Sequence, residues 1–473
     1  MFVILMGGRL YLDYRIEPLI LCSAVIAGFM AWYLRCQWQQ LEEAILNKIN
    51  VAMQGMLIIF SVGCMVGAWM FCGTVPFMVY WGLELVNPNY MLLSAFLICA
   101  LTPCCTGTSW GSAATIGVAM IGIAHGLGIP LAPVAGAALS GCYVGDKLSP
   151  LSDTTNLAPA VAGATTYEHI GHMFYTTIPG TILCCIVFFF ASSSVTGELH
   201  TPAQVQDFMN QLTEIYKLHF LLAVPPLLLI TGSILRWPIL PTIILTTILS
   251  VALGCLLQGF DLRGGILSTT TGFKVSMTHY LATPTESVQT LLNRGGMMGV
   301  LENMGMLCVA MAFGGIMHGS GMLTVVLQKM LKRVRSDGGL IASTLLSCVV
   351  LCFSTGSAYM GILIPGSLFK ESYLKRRLHP KNLSRALEDS ATMLDGAIPW
   401  ASGAVYMSGV LGVSAFEYVP WMVFNYSSVF IGLACAMLGI GIVKISAEEA
   451  KERLATSQMD TVLIEETPEP VQA

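Results

Sequence analysis

Residues 145–160 read GDKLSPLSDTTNLAPA and lie between two apolar runs. The stretch contains two aspartates, a lysine, two serines, two threonines, an asparagine and two prolines. Proline lacks the N–H that continues a helix, so Pro150 and Pro159 predict a helix interrupted around residues 152–156. Non-helical backbone cannot face lipid, because unpaired amide groups cost several kcal/mol each. The stretch therefore predicts an interrupted helix whose carbonyls and polar side chains line a cavity.

The composition around this stretch is that of a membrane protein. Hydrophobic residues make up 55% of the 473-residue chain and charged residues 11%, against about 25% charged in an ordinary soluble chain. Mean hydropathy is +0.72, and apolar runs of about 20 residues, the length that spans a bilayer, recur along the chain. We predict an all-α polytopic membrane protein with the lipid bilayer as its surroundings and no nucleic-acid partner. The 15 cysteines lie mostly in apolar runs without metal-binding spacing, so no cofactor is expected.

The apolar runs divide into two halves. Residues 1–195 are predicted to form the first transmembrane half and 218–443 the second, with a polar connector at 196–217 and a cytoplasmic tail at 444–473. The spans predicted for the first half are 17–35, 53–72, 89–105, 110–126, 130–144, 157–164 and 173–195. Those predicted for the second half are 218–235, 238–258, 297–317, 320–332, 339–354, 357–370, 397–413 and 419–443.

Basic residues indicate how the second half crosses the membrane. They form two clusters, one of Lys329, Lys332, Arg333 and Arg335, the other of Lys370, Lys375, Arg376, Arg377, Lys381 and Arg385. Positively charged loops face the cytoplasm. The segment between the clusters, with STGSAYMG at its middle, must therefore leave and return on one side, as two full spans or as a re-entrant hairpin.

The first half contains a counterpart. TGTSWGS also splits two apolar runs, but its flanks carry no Lys or Arg, so this hairpin is predicted to enter from the opposite face. An acid–hydroxyl cluster follows each hairpin, SDTTN at 152–156 and EDSAT at 388–392. A motif that recurs with opposite charge bias is typical of the inverted repeats of secondary transporters.

The chemistry of the first cluster suits cation exchange. Carboxylate, hydroxyl and amide oxygens are the ligands that hard cations such as sodium prefer, and an acid inside a membrane is by default a functional candidate. Burial favours the protonated carboxyl and a nearby cation favours the carboxylate, so one site can hold a proton or sodium in turn. Three simpler interpretations remain open: Asp146 with Lys147 as a loop ion pair, Ser149 with Pro150 as a helix start, and Asp153 as the cap of another turn.

Several long motifs resemble one known family. They are GTSWGSAATIGVAMIGIAHGLGIPLAPVAGAALSGCYVGDKLSPLSDTTNLAPAVAG, IPGSLFKESYLKRRLHPKNLSRALEDSATMLDGAIPWASGAVYMSGVLGV, GTVPFMVYWGLELVNP, LLNRGGMMG and AFGGIMHGSG. From about residue 17 to 443 the chain is similar to the NhaC family of sodium/proton antiporters. The resemblance implies an inverted-repeat transporter with two re-entrant hairpins and interrupted helices, which exchanges sodium for protons across a prokaryotic plasma membrane and catalyses no reaction.

The resemblance also implies roles for individual residues. The hairpin tips would be Gly107, Thr108 and Ser109, and Thr355, Gly356 and Ser357. The acid–hydroxyl segments would contain Asp146, Ser152, Asp153, Thr154, Thr155 and Asn156, and Glu388, Asp389, Ser390 and Thr392. Asp153 and Asp389 are the expected coupling carboxylates, with Asp146 and Asp395 as further candidates. Sodium would be held by Asp153, Thr154, Asn156 and Asp389. An alternative for Glu388 is a loop acid paired with Arg385.

The chain departs from the family pattern at two points, and these keep a second function open. Ala401 and Ser402 stand where members commonly continue with Asn or Thr, and Asp395 stands where a small uncharged residue is usual. An added carboxylate could change the cargo, so the alternative is a sodium- or proton-coupled antiporter of organic acids (malate or lactate) or amino acids. A homodimer is compatible with either function.

An intramembrane enzyme is the alternative from another class. A serine in TGTSWGS or STGSAYMG could serve as a nucleophile, but no histidine is clearly placed as its base. His169 and His172, three residues apart, are instead predicted as candidates for a pH response.

Overall fold

The computed structural model describes residues 16–195, 202–235, 237–332 and 334–455. Within these ranges the regular elements are helices, apart from a single bridge between Leu378 and Lys444. We number the helices in chain order. Those of the first half are α1 (Ile16–Tyr33), α2 (Trp38–Cys72), α3 (Thr74–Leu85), α4 (Met91–Thr106), α5 (Ser109–Ser112, continued through a π turn at Ala113–Gly117 into Val118–Gly126), α6 (Leu131–Leu148), α7 (Asp153–Ala162) and α8 (Thr166–Val195).

The remaining helices follow the predicted connector. They are α9 (Pro202–Ile215), α10 (Val224–Ile234), α11 (Ile239–Leu253, extended by Gly254–Gln258), α12 (Leu262–Thr271), α13 (Glu286–Leu292), α14 (Leu301–Gly319), α15 (Met322–Lys332), α16 (Asp337–Thr355), α17 (Ala358–Lys375), α18 (Pro380–Leu387, continued through a π turn at Glu388–Thr392 into Met393–Asp395), α19 (Ser402–Leu411), α20 (Ala415–Tyr418), α21 (Val423–Leu438) and α22 (447–455). Short 3₁₀ turns lie at Pro88–Tyr90, Phe220–Ala223, Val275–Met277, Met297–Val300 and Val419–Trp421.

The described helices have the length and polarity of membrane spans. Among them, four are long and apolar enough to cross a bilayer: Thr166–Ser194, Ile239–Gln258, Met297–Gly319 and Asp337–Thr355. Counting bent pairs as single spans, such as Met56–Cys72 with Thr74–Leu85 at 69°, the number rises to seven within the described ranges. The predicted all-α polytopic membrane fold is confirmed.

Hydropathy alone missed the amphipathic helices. Helix α2 begins at Trp38 rather than near residue 53, because its first turns carry glutamates, glutamines and a lysine among the apolar residues. The polar connector contains α9, which buries Phe208 and Leu212 and is therefore packed rather than extended. Helices α3, α12, α13 and α18 were likewise not predicted. The predicted tail is described only to residue 455, where α22 packs Ala450 beside Leu374.

The predicted break between α6 and α7 was placed too far along the chain. Helix α6 continues through Asp146 to Leu148, and α7 already begins at Asp153. Only residues 149–152 are irregular, and Pro159 lies inside α7 instead of at its start. The cluster at 152–156 therefore supplies side chains of a helix N-terminus, not a row of free carbonyls.

The two halves repeat the same elements in constant register. Corresponding positions differ by 249 residues throughout: α7 begins at Asp153 and α19 at Ser402, and they end at Ala162 and Leu411. The glycines after these helices, Gly163 and Gly412, both have positive φ, 85° and 67°. The repeat is therefore free of insertions from the hairpins to the helices that follow.

The hairpins share one backbone geometry at their tips. Helix α4 ends at Gly107 (φ 72°, ψ 19°) and α16 ends at Gly356 (φ 63°, ψ 24°). The next residues, Thr108 and Ser357, are extended, and a new helix begins immediately after each. Two short helix-to-helix turns of this kind confirm the turns predicted at TGTSWGS and STGSAYMG. Their entry from opposite membrane faces stays a prediction.

Gly107→Ala is expected to destabilise the protein more than a matched glycine substitution. A left-handed backbone costs an alanine about 1–2 kcal/mol, and at Gly107 the new Cβ would also lie 2.4 Å from Cβ of Leu151. Gly259 has a similar φ of 75° but nothing within 4 Å of its Cβ position, so Gly259→Ala carries the backbone cost alone. Thermal unfolding in detergent measures the difference, and equal losses would contradict the close contact at the tip.

Candidate functional site

Both hairpin tips line a single cavity of about 410 Å³. Residues 107–110 contribute from the first tip and 357–359 from the second. Three carboxylates also line it, those of Asp146, Asp153 and Asp395. The cavity is therefore an acidic chamber at the point where the two repeats meet.

Asp146 comes from the last turn of α6 and is 6% exposed. Its Oδ2 accepts a hydrogen bond of 2.9 Å from Oγ of Ser109, the first residue of α5. Ser152, just before α7, lines the same cavity, and its hydroxyl lies 3.3 Å from Oγ1 of Thr154. Oδ1 has no hydrogen-bond partner among the described residues. One oxygen of a buried acid is thus available to a ligand in the cavity.

Asp395 occupies the corresponding place in the second half. It is the last residue of α18, is 7% exposed, and accepts a 3.2 Å hydrogen bond from Oγ of Ser402, the first residue of α19. Gly403 of α19 packs directly against this carboxylate, since a Cβ there would lie 2.0 Å from Oδ2, and Ala358 of α17 lines the same cavity. Asp146 lies 39 residues after Gly107, and Asp395 lies 39 residues after Gly356.

The two acids therefore form a pair related by the repeat. Each ends or nearly ends one helix and faces the N-termini of two others, α5 and α7 for Asp146, α17 and α19 for Asp395. Helix N-termini carry partial positive charge, which favours the carboxylate form. Sequence patterning paired SDTTN with EDSAT, whereas the structure pairs Asp146 with Asp395.

Asp153 is exposed at the edge of the cavity and is the first residue of α7. Its neighbour Thr154 also lines the cavity, and Oγ1 of Thr154 donates to Oε1 of Glu388 over 3.1 Å. Glu388 is fully buried within α18. The alternative of a loop acid paired with Arg385 is wrong, since Glu388 is helical and its hydrogen bond comes from the other repeat.

Asp389 lies outside the cavity lining, in a buried ionic cluster. Nζ of Lys147 contacts Oδ1 of Asp389 at 2.5 Å, and both side chains are at most 1% exposed. Oδ1 also accepts hydrogen bonds from Thr176 (2.8 Å) and Ser428 (3.1 Å). These residues belong to α6, α18, α8 and α21 respectively. We call the four residues the Lys147–Asp389 cluster; it ties two helices of one repeat to two of the other.

The proposed loop pair of Asp146 and Lys147 is therefore wrong. Both residues are in α6, where successive side chains point about 100° apart. Asp146 faces the cavity, and Lys147 faces the Lys147–Asp389 cluster. The interpretation of residues 149–150 as a simple cap also fails, because the helix after the break starts at Asp153.

A second cation approaches Asp389 from its own helix. Nε of Arg385 lies 4.0 Å from Oδ2, and its Nη1 lies 3.4 Å from Nε2 of His172. His172 and His169 are both buried at the start of α8, where Nδ1 of His169 lies 2.9 Å from Oγ of Ser384. A pH response from these histidines stays a prediction.

Other predicted residues are placed as helix and turn supports. Asn156 donates to the carbonyls of Pro150 and Ser152 and accepts from Thr166, so its amide braces the break. Thr155 donates to the carbonyl of Asp146. Thr355 and Ser390 donate to carbonyls four residues earlier in their helices. The structure does not bring the predicted sodium ligands Asp153, Thr154, Asn156 and Asp389 to one point.

Sequence reasoning missed the part of the cavity that comes from outside the motifs. Lys48 lines it from α2, and Tyr143 lines it from α6, one turn before Asp146. Buried cavity-lining atoms without a hydrogen-bond partner in the described chain are Nζ of Lys48, Oη of Tyr143, Oδ1 of Asp146 and Oγ1 of Thr392. A lone lysine in an amphipathic run gives no sequence signal of burial.

Residues 107–111, GTSWG, have the letter pattern G-x-S-x-G of a nucleophile elbow, but not its structure. That elbow joins a strand to a helix, whereas Gly107 follows helix α4. The hydroxyl of Ser109 donates to Asp146, and the described residues that line the cavity include no histidine. Within the described residues, no group of three His, Cys, Asp or Glu side chains could hold a metal ion.

Comparison with known proteins shows similarity to antiporters along most of the chain. Residues 141–440 match the Na+/H+ antiporter family. The chain is 39% identical over 446 residues to an uncharacterised Na+/H+ antiporter of Haemophilus influenzae, covering 94% of this chain and 95% of that protein. It is 33% identical to the Na+/H+ antiporter NhaC of Alkalihalophilus pseudofirmus, covering 90% and 91%. It is also 33% identical to a malate-2H+/Na+-lactate antiporter of Bacillus subtilis, covering 91% and 90%.

Proposed function

The chain belongs to the Na+/H+ antiporter family, and from that membership we propose that it exchanges sodium ions for protons by exposing the cavity between its hairpin tips to each side of the membrane in turn. It is a multi-pass membrane transporter and not an enzyme. The observation that carries the proposal is the pair Asp146 and Asp395, buried in one cavity at equivalent points of the two repeats.

A buried carboxylate with an unoccupied oxygen is suited to ion exchange. An isolated buried charge is costly, so the acid must bind either a proton or a cation. Sodium is compatible with the oxygens near Asp146, which include the hydroxyl of Ser109 that donates to it and that of Ser152 in the same cavity lining. Because proton and sodium compete for the same oxygens, the empty acid is the disfavoured state, and its occupancy couples the two fluxes.

Asp146 and Asp395 are therefore the proposed coupling carboxylates. Asp153, exposed at the rim, would attract cations to the cavity and bind them less tightly. Asp389 is paired with Lys147, and its proposed role is to hold the repeats together. The assignment of sodium to Thr154 rests on its place in the cavity lining.

The C-terminus is proposed to lie in the cytoplasm of a prokaryotic cell. The segment after α21 bridges Lys444 to Leu378, and α22 packs beside Leu374. This is the end of α17 that carries the basic cluster around Lys375 and Arg376, and positively charged loops face the cytoplasm.

Exchange can be tested with purified protein in liposomes that hold an acid interior. Addition of external sodium is expected to dissipate the pH gradient, read from a trapped pH dye, while choline at the same concentration is not. Protein-free liposomes supply the control for leak. A gradient that collapses equally with choline, or persists with sodium at every pH tried, would contradict the proposal.

A further inference from the structure

Lys48 is a buried cation in the transport cavity that has no partner in the part of the chain that the structure describes. Its side chain lines the cavity together with the acids, and the residue is 4% exposed. Nζ has no hydrogen-bond partner among the described residues. A nearby thiol, that of Cys352, donates to the carbonyl of Ala391 over 3.7 Å and so supplies no anion. Unpaired buried charges are rare because they are costly, so this ammonium group indicates a ligand.

The fold holds Lys48 firmly in this position. Helix α14 approaches α2 closely, because a Cβ at Gly315 would lie 2.7 Å from Cα of Ile45 and one at Gly319 would lie 2.6 Å from Cβ of Ala44. Lys48 lies one turn after Ala44 on α2, and Met311 lies one turn before Gly315 on α14. Both residues line the cavity. The lysine is thus placed by backbone contact and not by a flexible loop.

The cavity is larger than a sodium ion requires. Its volume of about 410 Å³ corresponds to at least about a dozen water molecules at roughly 30 Å³ each. Besides Lys48, the hydroxyls of Tyr143 and Thr392 face it without partners in the described chain. Trp110 and Tyr359 add aromatic surface. Such a mixture of apolar walls and few polar groups is typical of sites for small organic molecules.

We propose that Lys48 binds the carboxylate of a small organic solute that shares the cavity with the transported cation. The inference rests on the proposed cation exchange, because sodium or a proton on Asp146 and Asp395 removes the negative charge that would otherwise repel the solute. The lysine and the acids are then complementary: a carboxylate pairs with Lys48, and a cation pairs with the acids. No covalent step is involved.

Counterflow into proteoliposomes tests this site. Vesicles loaded with unlabelled L-lactate or L-alanine are diluted into trace amounts of the same labelled solute with sodium on both sides, and protein-free liposomes are subtracted. Wild type is expected to accumulate at least one label, and the uncharged analogue lactamide is expected not to compete. Lys48→Met is expected to lower counterflow at least about tenfold, and Lys48→Arg to retain a substantial part of it because it keeps the charge.

Each outcome has a defined meaning. Accumulation of lactate alone identifies an organic anion, whereas accumulation of alanine identifies a zwitterion whose ammonium group can reach the acids. Absence of counterflow for both solutes, or full counterflow by Lys48→Met, overturns the inference. Gel filtration checks that Lys48→Met is folded, and Lys48→Gln replaces it if it is not.

A parallel measurement separates this inference from the proposed function. Wild-type sodium-dependent proton exchange is recorded in a buffer that contains no carboxylate. Exchange without counterflow leaves the proposed function standing and removes the role of Lys48. Counterflow without sodium-dependent proton exchange removes the proposed function and leaves a carboxylate site at Lys48.

Discussion

Asp146→Asn is expected to lower the initial rate of sodium-dependent proton exchange at least about 100-fold, which corresponds to about 2.7 kcal/mol. The amide neither binds a proton in the working pH range nor attracts sodium with a full charge. The hydrogen bond from Ser109 can still be made to the amide oxygen, and the volume is unchanged, so the variant is expected to fold. The measurement is dye-monitored exchange in proteoliposomes at matched protein density.

The matched variants decide which acids couple the ions. Asp395→Asn is expected to cause a loss of similar size, because Asp395 has the equivalent position in the second repeat. Asp153→Asn is expected to raise the sodium concentration for half-maximal exchange while leaving the maximal rate within about threefold, since rim charges act mainly by attraction. Loss of exchange in Asp153→Asn with wild-type behaviour in Asp146→Asn would restore the ranking predicted from sequence.

Lys147→Met is expected to produce the largest loss of stability. Breaking a buried ion pair by removing one partner costs about 3–5 kcal/mol, and here it leaves Asp389 buried with only Thr176, Ser428 and the more distant Arg385 beside it. The methionine conserves the length of the side chain, so the loss reports on charge. Unfolding in detergent, followed by intrinsic fluorescence, gives the change in the free energy of unfolding.

A surface ion pair provides the control for this prediction. Lys375 and Glu371 are in contact at 2.8 Å on α17, with side chains 64% and 50% exposed. Exposed pairs contribute at most about 1 kcal/mol, so Lys375→Met is expected to be close to wild type. The double variant Lys147→Met/Asp389→Leu, which removes both charges, is expected to recover part of the lost stability. A Lys147→Met protein as stable as Lys375→Met would show that the buried cluster does not tie the repeats together.

The sequence predicted the parts of the fold that depend on hydropathy and on glycine at turns. Both hairpin tips were placed correctly, because a glycine with a left-handed backbone leaves few alternatives there. Proline predicted an interruption between α6 and α7, but it was placed a few residues too far along the chain. Helix α18 was missed, since its acids and its arginine suggest a loop unless their partners in the other repeat are known. A hydropathy scale assigns each charged residue its own cost of burial. In α18 the buried charged side chains each contact a polar or charged partner, which such a scale does not consider.

The sequence predicted which segments form the site, namely the two hairpin tips and the acidic segments that follow them. It did not predict which acids of those segments line the cavity. Asp146 and Asp395 were both among the candidates, but Asp153 and Asp389 were expected to be the coupling carboxylates. Proximity along the chain does not determine which face of a helix a residue occupies. A search for equal spacing from each tip glycine would have paired Asp146 with Asp395 directly, without any structure.

The adjacency of Asp146 and Lys147 on α6 has a consequence for how this protein can vary. One residue inserted into α6 ahead of the pair would turn the helix by about 100° and exchange the directions of the two side chains, aiming the lysine at the transport chamber and the acid at the interface between repeats. Substitutions elsewhere on the helix cause no such exchange. We therefore expect α6 to tolerate substitutions far more readily than insertions or deletions that change its length.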